Sequence, residues 1–513
     1  MHTGTDAKTD TTAHRLGTSR TLWDLVASRA TLTPDRPVFL QDDRTLTFGE
    51  LRAGAERVAA GLYARGVRPG TVVAWQLPTR VETVLLSFAL ARLGAVQSPV
   101  IPFYRDREVG FALRAAEAEF FAVPGTWRGF DHTGMARRLG AKGVFEAYDA
   151  LPEGDPARLP PPPAEGTSVR WIYWTSGTTS APKGVLHTDR SLIAGGACLA
   201  HALRLAPGDV GSVAFPYAHI GGPDYTVMLL LYGIPAVLFE QFALPAALPD
   251  YRRHGVTVAG GSTAFYSMFL AEQRKQPGEK IIPTLRLLAG GGAPKPPEVY
   301  HAVVREMGVQ LAHGYGMTEV PMITMGDPED TAENLATTEG RPPEGMEVRI
   351  VDGEVRLRGE AVCRGYLDPA QTAETFDEDG FLRTGDLGHL TGGGHLVLTG
   401  RRKDVIIRKG ENISAKEIED LLHRYPGVGD VAVIGLPDAE RGERVCAVVE
   451  PAVPPAGDGE LTLEAVTAYL RAAGLSVHKL PEQLEVVDAL PRGATLRKVL
   501  KYQLRERFLD GGR

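Results

Sequence analysis

A loop rich in glycine and hydroxyl residues is the stretch best suited to bind a ligand. It reads Thr175-Ser176-Gly177-Thr178-Thr179-Ser180-Ala181-Pro182-Lys183-Gly184. Glycine lets backbone amides turn inward, hydroxyls donate hydrogen bonds and lysine adds a point charge, which together suit a polyphosphate. A plain polar surface loop is the alternative, because such clusters usually are loops. A Walker loop is excluded, since Pro182 precedes Lys183 and Gly184 follows it where that motif needs Gly-Lys-Ser/Thr.

The residues on either side of this loop predict a strand–loop–strand clamp. Val169 to Trp174 reads as a strand, and Val185 to His187 continues extended. The loop resembles the phosphate-binding motif of the adenylate-forming superfamily, which includes acyl-CoA synthetases, peptide-synthetase adenylation domains and beetle luciferases. Further motifs follow in the family's order between Thr45 and Lys498. The resemblance implies phosphate contacts from Thr175, Ser176, Gly177, Thr178, Thr179 and Lys183.

A second motif, His313-Gly314-Tyr315-Gly316-Met317-Thr318-Glu319, combines an aromatic ring with an acid. An aromatic ring can stack on adenine, and a carboxylate can hold Mg²⁺ through oxygen. Taken alone, the stretch is a turn with an exposed acid. The resemblance implies that Tyr315 and Gly316 bind the base, that Thr318 contacts the α-phosphate and that Glu319 holds the metal.

A third group of motifs points to ribose binding and a domain junction. It comprises Gly353 to Gly359, Arg364-Gly365-Tyr366, Arg383 to Gly388 and Gly400 to Ile407. Asp386, beside a glycine turn, can accept both ribose hydroxyls. The resemblance implies that Arg401 also reaches the ribose and that Lys403 is the hinge between two domains. A surface cluster of cations is the alternative, but Gly400 and the apolar run after Lys403 fit the family as well.

Three glycine-containing segments are candidates for the acyl and adenine pockets. They are Phe215 to Gly222, Gly260 to Phe265 and Leu288 to Pro294. Glycine pairs at strand ends admit close approach to a ligand, although simple turns and a packed core histidine are the alternatives. The resemblance implies that His219 lies beside the substrate carboxylate, and that Gly291, Gly292 and Ala293 contact adenine. It implies an acyl pocket formed by Ile220, Gly221, Gly261, Ser262, Gly314 and Met317.

The segment from Pro491 to Lys501 resembles the family's catalytic-lysine loop. The family usually has glycine directly before the lysine, whereas Arg497 stands there in this chain and the loop is one residue longer. Alignment from the downstream helix selects Lys498, and Lys501 is the alternative. By this resemblance the catalytic residues are Lys498, His219, Thr318 and Glu319.

The resemblance implies an acid–thiol ligase that uses ATP, Mg²⁺ and coenzyme A. A carboxylate would attack the α-phosphate of ATP, and a thiol would then displace AMP after the small domain rotates about Lys403. Peptide-synthetase domains place an acid where Ile220 stands, so a hydrophobic acid (fatty, alicyclic or aromatic) is favoured, although Asp224 keeps an amino acid in question. Two alternatives stay open: loading of a phosphopantetheinyl carrier protein in trans, and a nucleotide-binding homologue without catalysis.

Composition is that of an ordinary multidomain globular enzyme. The 513 residues exceed one core, and the net charge of −7 without a basic stripe argues against nucleic acid as a partner. Cys198, Cys363 and Cys446 are far apart and are expected to be reduced. The first twenty residues lack the apolar core of a signal peptide, and Val227 to Phe239 is too short to span a bilayer. We therefore expect a cytoplasmic protein without an integral membrane segment, with a homodimer as the candidate assembly.

Alternating helix and strand patterns must position these residues. Thr47 with Glu50 forms a capping-box pattern, and Ser414 with Glu417 repeats that spacing. Strand and helix patterns at Thr71 to Trp75 and Val81 to Leu93 indicate sheets covered by helices. We therefore expect a disordered tail at 1–20, a large α/β domain at 21–401 with helix-covered sheets and a small β-barrel-like subdomain, and a smaller mobile α+β domain at 402–513.

Overall fold

The computed structural model of the protein describes residues 6–175, 182–409, 411–438, 440–452, 461–493 and 498–509, with side chains from residue 12 onward. No helix within these ranges is long and apolar enough to cross a membrane. The helices are α1 Asp6–Gly17, α2 Leu22–Leu32, α3 Phe48–Ala64, α4 Val81–Leu93, α5 Asp106–Ala115, α6 His132–Arg138, α7 Asp189–Ala202, α8 Gly221–Tyr232, α9 Leu244–Arg253, α10 Thr263–Gln273, α11 Pro297–Ala302, α12 Ala332–Thr337, α13 Pro369–Thr375, α14 Ala415–Leu422, α15 Leu463–Ala472 and α16 Lys501–Leu509.

Local sequence signals account for several of these helix boundaries. The Thr47 side chain accepts a hydrogen bond from the Glu50 amide and the Glu50 carboxylate accepts one from the Thr47 amide, so the predicted capping box is confirmed. Ser414 caps α14 through the Glu417 amide, as predicted. Every residue of α4 is buried, which explains why its apolar residues are spread around the whole helix and not confined to one face.

The amino-terminal segment differs from the disordered tail predicted for residues 1–20. Helix α1 forms at Asp6–Gly17, and its Ala13 and Leu16 side chains are buried. Residues three apart lie on one face of a helix, so these two apolar side chains can pack together onto α8. Two apolar residues among polar ones are a weak sequence signal, which is why composition alone suggested disorder.

The strands, in chain order, are β1 Pro37–Gln41, β2 Arg44–Thr47, β3 Val72–Trp75, β4 Val96–Pro99, β5 Phe120–Val123, β6 Thr126–Trp127, β7 Phe130–Asp131, β8 Val144–Glu146, β9 Val169–Thr175, β10 Lys183–Thr188, β11 Gly211–Val213, β12 Ala236–Leu238, β13 Val258–Gly261, β14 Leu287–Gly291, β15 Gln310–Met317, β16 Val320–Met325, β17 Met346–Val351, β18 Glu354–Gly359, β19 Leu382–Leu390, β20 Leu396–Arg401, β21 Val405–Arg408, β22 Glu411–Ser414, β23 Val428–Asp438, β24 Gly442–Pro451 and β25 Gln483–Val486. Apart from the short β6–β7 pair, these strands form five sheets in the described part of the chain.

Three of the sheets are mostly parallel and form the core of the large domain. Their strand orders are β11-β12-β1-β2, β10-β9-β4-β3-β5-β8 and β13-β14-β15-β16. In each of them one strand at an edge pairs antiparallel with its neighbour: β2, β10 and β16 respectively. Such sheets place ligands at the carboxyl ends of the strands. The large domain is therefore α/β, as predicted.

A fourth sheet, β17-β18-β19-β20, is antiparallel throughout and forms the predicted small β subdomain. Within the described residues its strands do not close into a barrel. The fifth sheet, β22-β21-β24-β23 with β25 beside β24, builds the smaller carboxyl-terminal domain together with α14, α15 and α16. Its faces bury separate apolar clusters around Ile418 and Leu504. The α+β character predicted for this domain is confirmed.

Candidate active site

The candidate phosphate loop is flanked by strands β9 and β10, which pair antiparallel. Thr175 lies opposite Lys183 in the register, so the two ends of the loop are adjacent in space. The flanking strands of the predicted clamp are therefore present. The predicted phosphate contacts Ser176, Gly177, Thr178 and Thr179 lie outside the described residues.

The ends of β13, β14 and β15 bring the predicted acyl and adenine segments side by side. Gly261 pairs with Gly290, and Gly291 pairs with Gly314, in parallel register. A Cβ added at Gly291 would lie 2.3 Å from the Gly314 carbonyl oxygen. Close packing of neighbouring strands therefore requires glycine at Gly290 and Gly291. The ligand contacts predicted for the glycines of these segments stay predictions.

The remaining residues predicted for these two pockets lie at the same edge. Gly292 has a φ of +85°, a conformation that favours glycine, and the Ala293 carbonyl accepts a hydrogen bond of 3.1 Å from the Thr263 hydroxyl. Ser262 is buried, and its Oγ has no hydrogen-bond partner within the described ranges. Met317 ends β15 and is partly buried against the main core.

His219 lies two residues before Gly221, where helix α8 begins. Its Nδ1 accepts a hydrogen bond of 3.3 Å from the Gly221 amide, so a neutral ring carries its proton on Nε2. Burial, and then the charge of Lys498, lower the pKa of His219 to about 4. A neutral donor results near pH 7, suited to a substrate carboxylate. The neighbouring Ile220 is buried and apolar.

Asp224 lies on α8 one turn beyond Ile220, so the two side chains share a face of the helix. It is only 3% exposed, and burial raises its pKa to about 8. Its Oδ1 has no hydrogen-bond partner in the described part of the chain. A Cβ added at Gly195 would lie 2.9 Å from this oxygen and 3.0 Å from Pro321 Cβ. The carboxyl thus lies close to Pro321, within the segment from Gly314 to Met322 that was predicted to line the pocket.

The turn between β15 and β16 holds Thr318 and Glu319. His187 Nε2 lies 2.8 Å from the Thr318 carbonyl oxygen, and its Nδ1 lies 2.9 Å from Ser191 Oγ. Burial lowers the pKa of His187 to about 4, so the ring is neutral and donates from Nε2 to Thr318. This contact ties the turn to the strand that leaves the phosphate loop.

Glu319 is 7% exposed, and its Oε1 accepts a hydrogen bond of 2.7 Å from the Tyr366 hydroxyl. Burial, followed by the Glu319 charge, raises the pKa of Tyr366, which keeps the phenol protonated as a donor. The Nζ of Lys183 lies 5.0 Å from the centroid of the same ring. Tyr366 therefore contacts both the predicted metal ligand and the lysine of the phosphate loop.

Asp386, the predicted ribose acid, has two side-chain partners. Arg401 Nε lies 2.8 Å from Asp386 Oδ1, and the two residues are opposite each other in strands β19 and β20. The Tyr315 hydroxyl donates to Oδ2 of the same carboxylate. Asp386 is 4% exposed and Tyr315 is 7% exposed. Three of the residues predicted to bind the nucleoside are thus brought together.

Lys498 reaches this cluster from the carboxyl-terminal domain. Its pKa is lowered to about 8, first by burial and then by Arg401, while the carboxylates of Asp386 and Glu319 oppose the shift. The side chain of Lys498 is nevertheless exposed to solvent at its surface. The Lys498 ammonium is therefore within electrostatic range of Arg401, Asp386 and Glu319.

The alternative lysine, Lys501, lies elsewhere. Its Nζ forms an ion pair of 2.7 Å with Glu419 Oε1, within the carboxyl-terminal domain. The same Glu419 oxygen accepts a hydrogen bond from the Val433 amide. Lys501 thus links α16 to α14 and β23, which is a structural contact.

The predicted hinge, Lys403, lies in a short 3₁₀ turn at Arg402–Asp404, between β20 and β21. Burial, and next the charge of Arg401, lower the pKa of Lys403. Asp404 in the same turn lies 3.3 Å from a guanidinium nitrogen of Arg505 on α16. The junction is therefore in contact with both the small β sheet and the last helix.

The donor set around Glu319 fits Mg²⁺ better than a transition metal. The described residues contain no group of three or more His, Cys, Asp or Glu side chains that could hold a metal ion. A metal at Glu319 would thus depend on water and substrate phosphates for its other ligands, which is the usual pattern for Mg²⁺.

Tyr366 belongs to the third group of sequence motifs, but no role was predicted for it. Tyr366 is 47 residues from Glu319 in the chain, and no periodicity connects the two. Its position directly after Arg364-Gly365 was the only available signal. For His187, which positions Thr318, the sequence likewise predicted only a place in a strand.

Comparison with known proteins identifies the family. The pattern of an AMP-binding enzyme matches residues 26–367, and the pattern of an AMP-binding enzyme C-terminal domain matches residues 417–496. The chain belongs to the AMP-binding enzymes of the adenylate-forming superfamily, a family of acyl-adenylate-forming ligases. The resemblance recognised from the motifs is confirmed.

Several relatives are similar over almost their whole length. A medium-chain fatty-acid–CoA ligase of Escherichia coli is 30% identical over 489 residues, covering 90% of this chain and 85% of the relative. A salicyl-AMP ligase / salicyl-S-ArCP synthetase of Mycobacterium tuberculosis is 32% identical, covering 92% and 88%. The structure of o-succinylbenzoate coenzyme A synthetase from Bacillus subtilis with ATP and magnesium ion superposes with a TM-score of 0.82 at 28% identity, covering 94% and 98%.

Proposed function

We propose that the protein activates a hydrophobic carboxylic acid as acyl-AMP at the expense of ATP and transfers the acyl group to coenzyme A. The observation that carries this proposal is the position of Lys498 beside Glu319, Asp386 and Arg401. The ammonium of Lys498, a residue of the smaller domain, lies within electrostatic range of the predicted metal ligand and ribose residues of the larger one. That arrangement suits attack of a carboxylate on the α-phosphate.

In the first step a carboxylate oxygen attacks the α-phosphorus, and the bond to the bridging oxygen breaks as pyrophosphate leaves with the electron pair. Lys498 would neutralise charge that develops on the α-phosphate, and Lys183 would bind the β- and γ-phosphates. Neutral His219 would donate from Nε2 to the substrate carboxylate. Glu319 would hold Mg²⁺, which would supply positive charge to stabilise the phosphates. Asp386 and Arg401 would orient the ribose.

In the second step a thiol sulfur attacks the acyl carbonyl carbon, AMP leaves, and the thiol proton passes to solvent. Lys498 is not required in this step, and rotation about Lys403 would remove it from the site. Because this rotation needs a junction next to Lys403, we place the domain boundary between residues 401 and 402. The boundary is supported by the separate apolar cores on its two sides.

A hydrophobic acid is supported by Ile220, which is buried directly before α8, and by the sequence segments predicted to line the pocket, whose described part carries no acid besides Glu319. Asp224 lies one helical turn beyond Ile220, and with a pKa of about 8 its carboxyl is neutral at pH 7 in the ligand-free protein. The E. coli relative that acts on medium-chain fatty acids agrees with this substrate class. Coenzyme A as the acceptor rests on the same relative.

A carrier protein as acceptor is the second candidate, because the M. tuberculosis relative is named as a salicyl-S-ArCP synthetase. That relative also makes aromatic hydroxy acids worth including among the substrates tested, since Asp224 could pair with a substrate hydroxyl.

The experiment is acid-dependent exchange of labelled pyrophosphate into ATP, with straight-chain, alicyclic, aromatic, hydroxyaromatic and amino acids. Exchange that is strongest with acids lacking an ammonium group supports the proposal. AMP release is then compared with coenzyme A and with a phosphopantetheinyl carrier protein. If none of the acids supports exchange, acyl activation is overturned. If turnover occurs with the carrier protein but not with coenzyme A, the carrier replaces coenzyme A as the proposed acceptor.

A further inference from the structure

A short segment between β18 and α13 is hydrogen-bonded to both sides of the candidate phosphate site. On one side the Leu186 amide donates to the Gly365 carbonyl at 2.9 Å, and the Leu367 amide donates to the Gly184 carbonyl at 2.8 Å. On the other side the Cys363 amide donates to the Glu319 carbonyl at 2.8 Å. The segment Cys363 to Leu367 therefore joins strand β10 to the turn that carries the acid.

The side chain of Tyr366 makes the same connection between functional groups. Its hydroxyl donates to Glu319 Oε1 at 2.7 Å, and its ring centroid lies 5.0 Å from Lys183 Nζ. Tyr366 is 6% exposed, and its amide is held by the Thr372 hydroxyl at 2.9 Å. A ring fixed in this way restricts both the rotation of the Glu319 carboxylate and the position of the Lys183 ammonium.

We propose that Tyr366 is a positioning residue that aligns the Glu319 carboxylate for Mg²⁺ and the Lys183 ammonium for the terminal phosphates of ATP. This inference rests on the proposed function, since both contacts matter for a bound nucleotide. Hydrogen bonds to charged groups and cation–π contacts are stronger in a site shielded from water. The two halves of the contact are chemically distinct, because only the hydroxyl serves Glu319 and only the ring serves Lys183.

Two substitutions separate these halves in the full-length protein. Tyr366→Phe keeps the ring near Lys183 and removes the hydroxyl, so the affinity for MgATP should fall about tenfold while the affinity for ATP in excess EDTA stays unchanged. Tyr366→Leu removes the ring and the hydroxyl, so the affinities for MgATP and for metal-free ATP should both fall. Isothermal titration calorimetry measures the two affinities, and pyrophosphate exchange should require a higher half-saturating Mg²⁺ concentration in the Phe variant.

Tyr251→Phe is the matched control, because it removes a buried tyrosine hydroxyl that donates to Ser212 Oγ at 3.1 Å in another part of the molecule. This control should leave both affinities at their wild-type values. A Phe variant at position 366 that binds MgATP like the wild type would overturn the proposal. Equal loss of affinity with and without Mg²⁺, accompanied by a lower Tm, would reduce Tyr366 to a purely structural role and would also overturn it.

Failure of the proposal for Tyr366 can be distinguished from failure of the proposed function. Wild-type protein that binds MgATP but shows no acid-dependent pyrophosphate exchange would contradict acyl activation. The difference between the affinities for MgATP and for metal-free ATP would still decide the role of Tyr366.

Discussion

Arg401 Nε lies 2.8 Å from Asp386 Oδ1, and strands β19 and β20 place the two residues directly opposite each other. Tyr315 donates its hydroxyl to the other oxygen of the same carboxylate. The predicted ribose acid is therefore oriented before any nucleotide binds, by one residue from the domain junction and one from the predicted adenine site. A preorganised carboxylate loses little conformational entropy when a ribose binds.

Asp386→Ala should weaken ATP binding by about 10- to 100-fold, because a charged hydrogen bond to a buried group is worth about 1.5–3 kcal/mol. The protein should remain folded, although Tyr315 and Arg401 lose a partner. Calorimetric titration with ATP and the KM for ATP in pyrophosphate exchange measure the effect. Asp386→Asn keeps the shape and should show a smaller loss. An unchanged KM in the Ala variant would remove Asp386 from the site.

Lys403→Pro tests the hinge. Proline fixes φ near −65° and removes an amide, so the change should hold one orientation of the small domain. We expect the orientation seen here to persist, with Lys498 beside the nucleotide residues. Acyl-AMP should then form at a near-normal rate, while thioester formation falls by orders of magnitude. Equal loss of both steps in single-turnover experiments would indicate misfolding, and no loss in either would place the hinge elsewhere.

Asp224 should make stability depend on pH. Its pKa is raised from 3.8 to about 8 in the folded protein, so the folded state binds the extra proton. The contribution of Asp224 to the free energy of unfolding is therefore fully present below about pH 4, declines as pH rises and is lost above about pH 8. Asp224→Asn removes this titration, so its stability relative to wild type should increase across that window by a few kcal/mol. Urea unfolding at several pH values measures it, and parallel curves for the two proteins would contradict the prediction.

The sequence contained good local information about the fold. The capping box at Thr47, the cap at Ser414 and the extent of α4 follow from the spacing of polar and apolar residues, and all three agree with the structure. Helix α1 was missed, because its few apolar residues gain stability only by packing on α8. Such tertiary contacts override local propensity.

The candidate site was recognised through motifs, but its internal contacts were not predictable. Tyr366 and Glu319 meet because two separate segments pack against each other, and no pattern of spacing encodes that contact. The close packing of strands at the glycines that end β13 to β15 was not predicted either, since it can be recognised only when the register is known. The roles of the site residues toward substrate stay predictions.

The pH dependence of adenylation should report Lys498. Its pKa of about 8 means that the free enzyme loses the ammonium charge above that pH. The kcat/KM for ATP should therefore decline above about pH 8, since kcat/KM reports ionisations of the free enzyme. Lys498→Arg keeps its charge throughout this range, so its slower reaction should lack this decline. Identical pH profiles for the two proteins would assign the ionisation to another group.

The central claim is that Lys498, supplied by the carboxyl-terminal domain, completes the site for acyl-AMP formation. Single-turnover measurement of the two half-reactions in Lys498→Ala tests it most directly, with Lys501→Ala as the control that loses only the ion pair with Glu419. We expect Lys498→Ala to abolish acyl-AMP formation from acid and ATP but to convert supplied acyl-AMP to thioester at a rate close to wild type. Lys501→Ala should retain both half-reactions and show a lower Tm. Normal acyl-AMP formation in Lys498→Ala, or its selective loss in Lys501→Ala, would contradict the account.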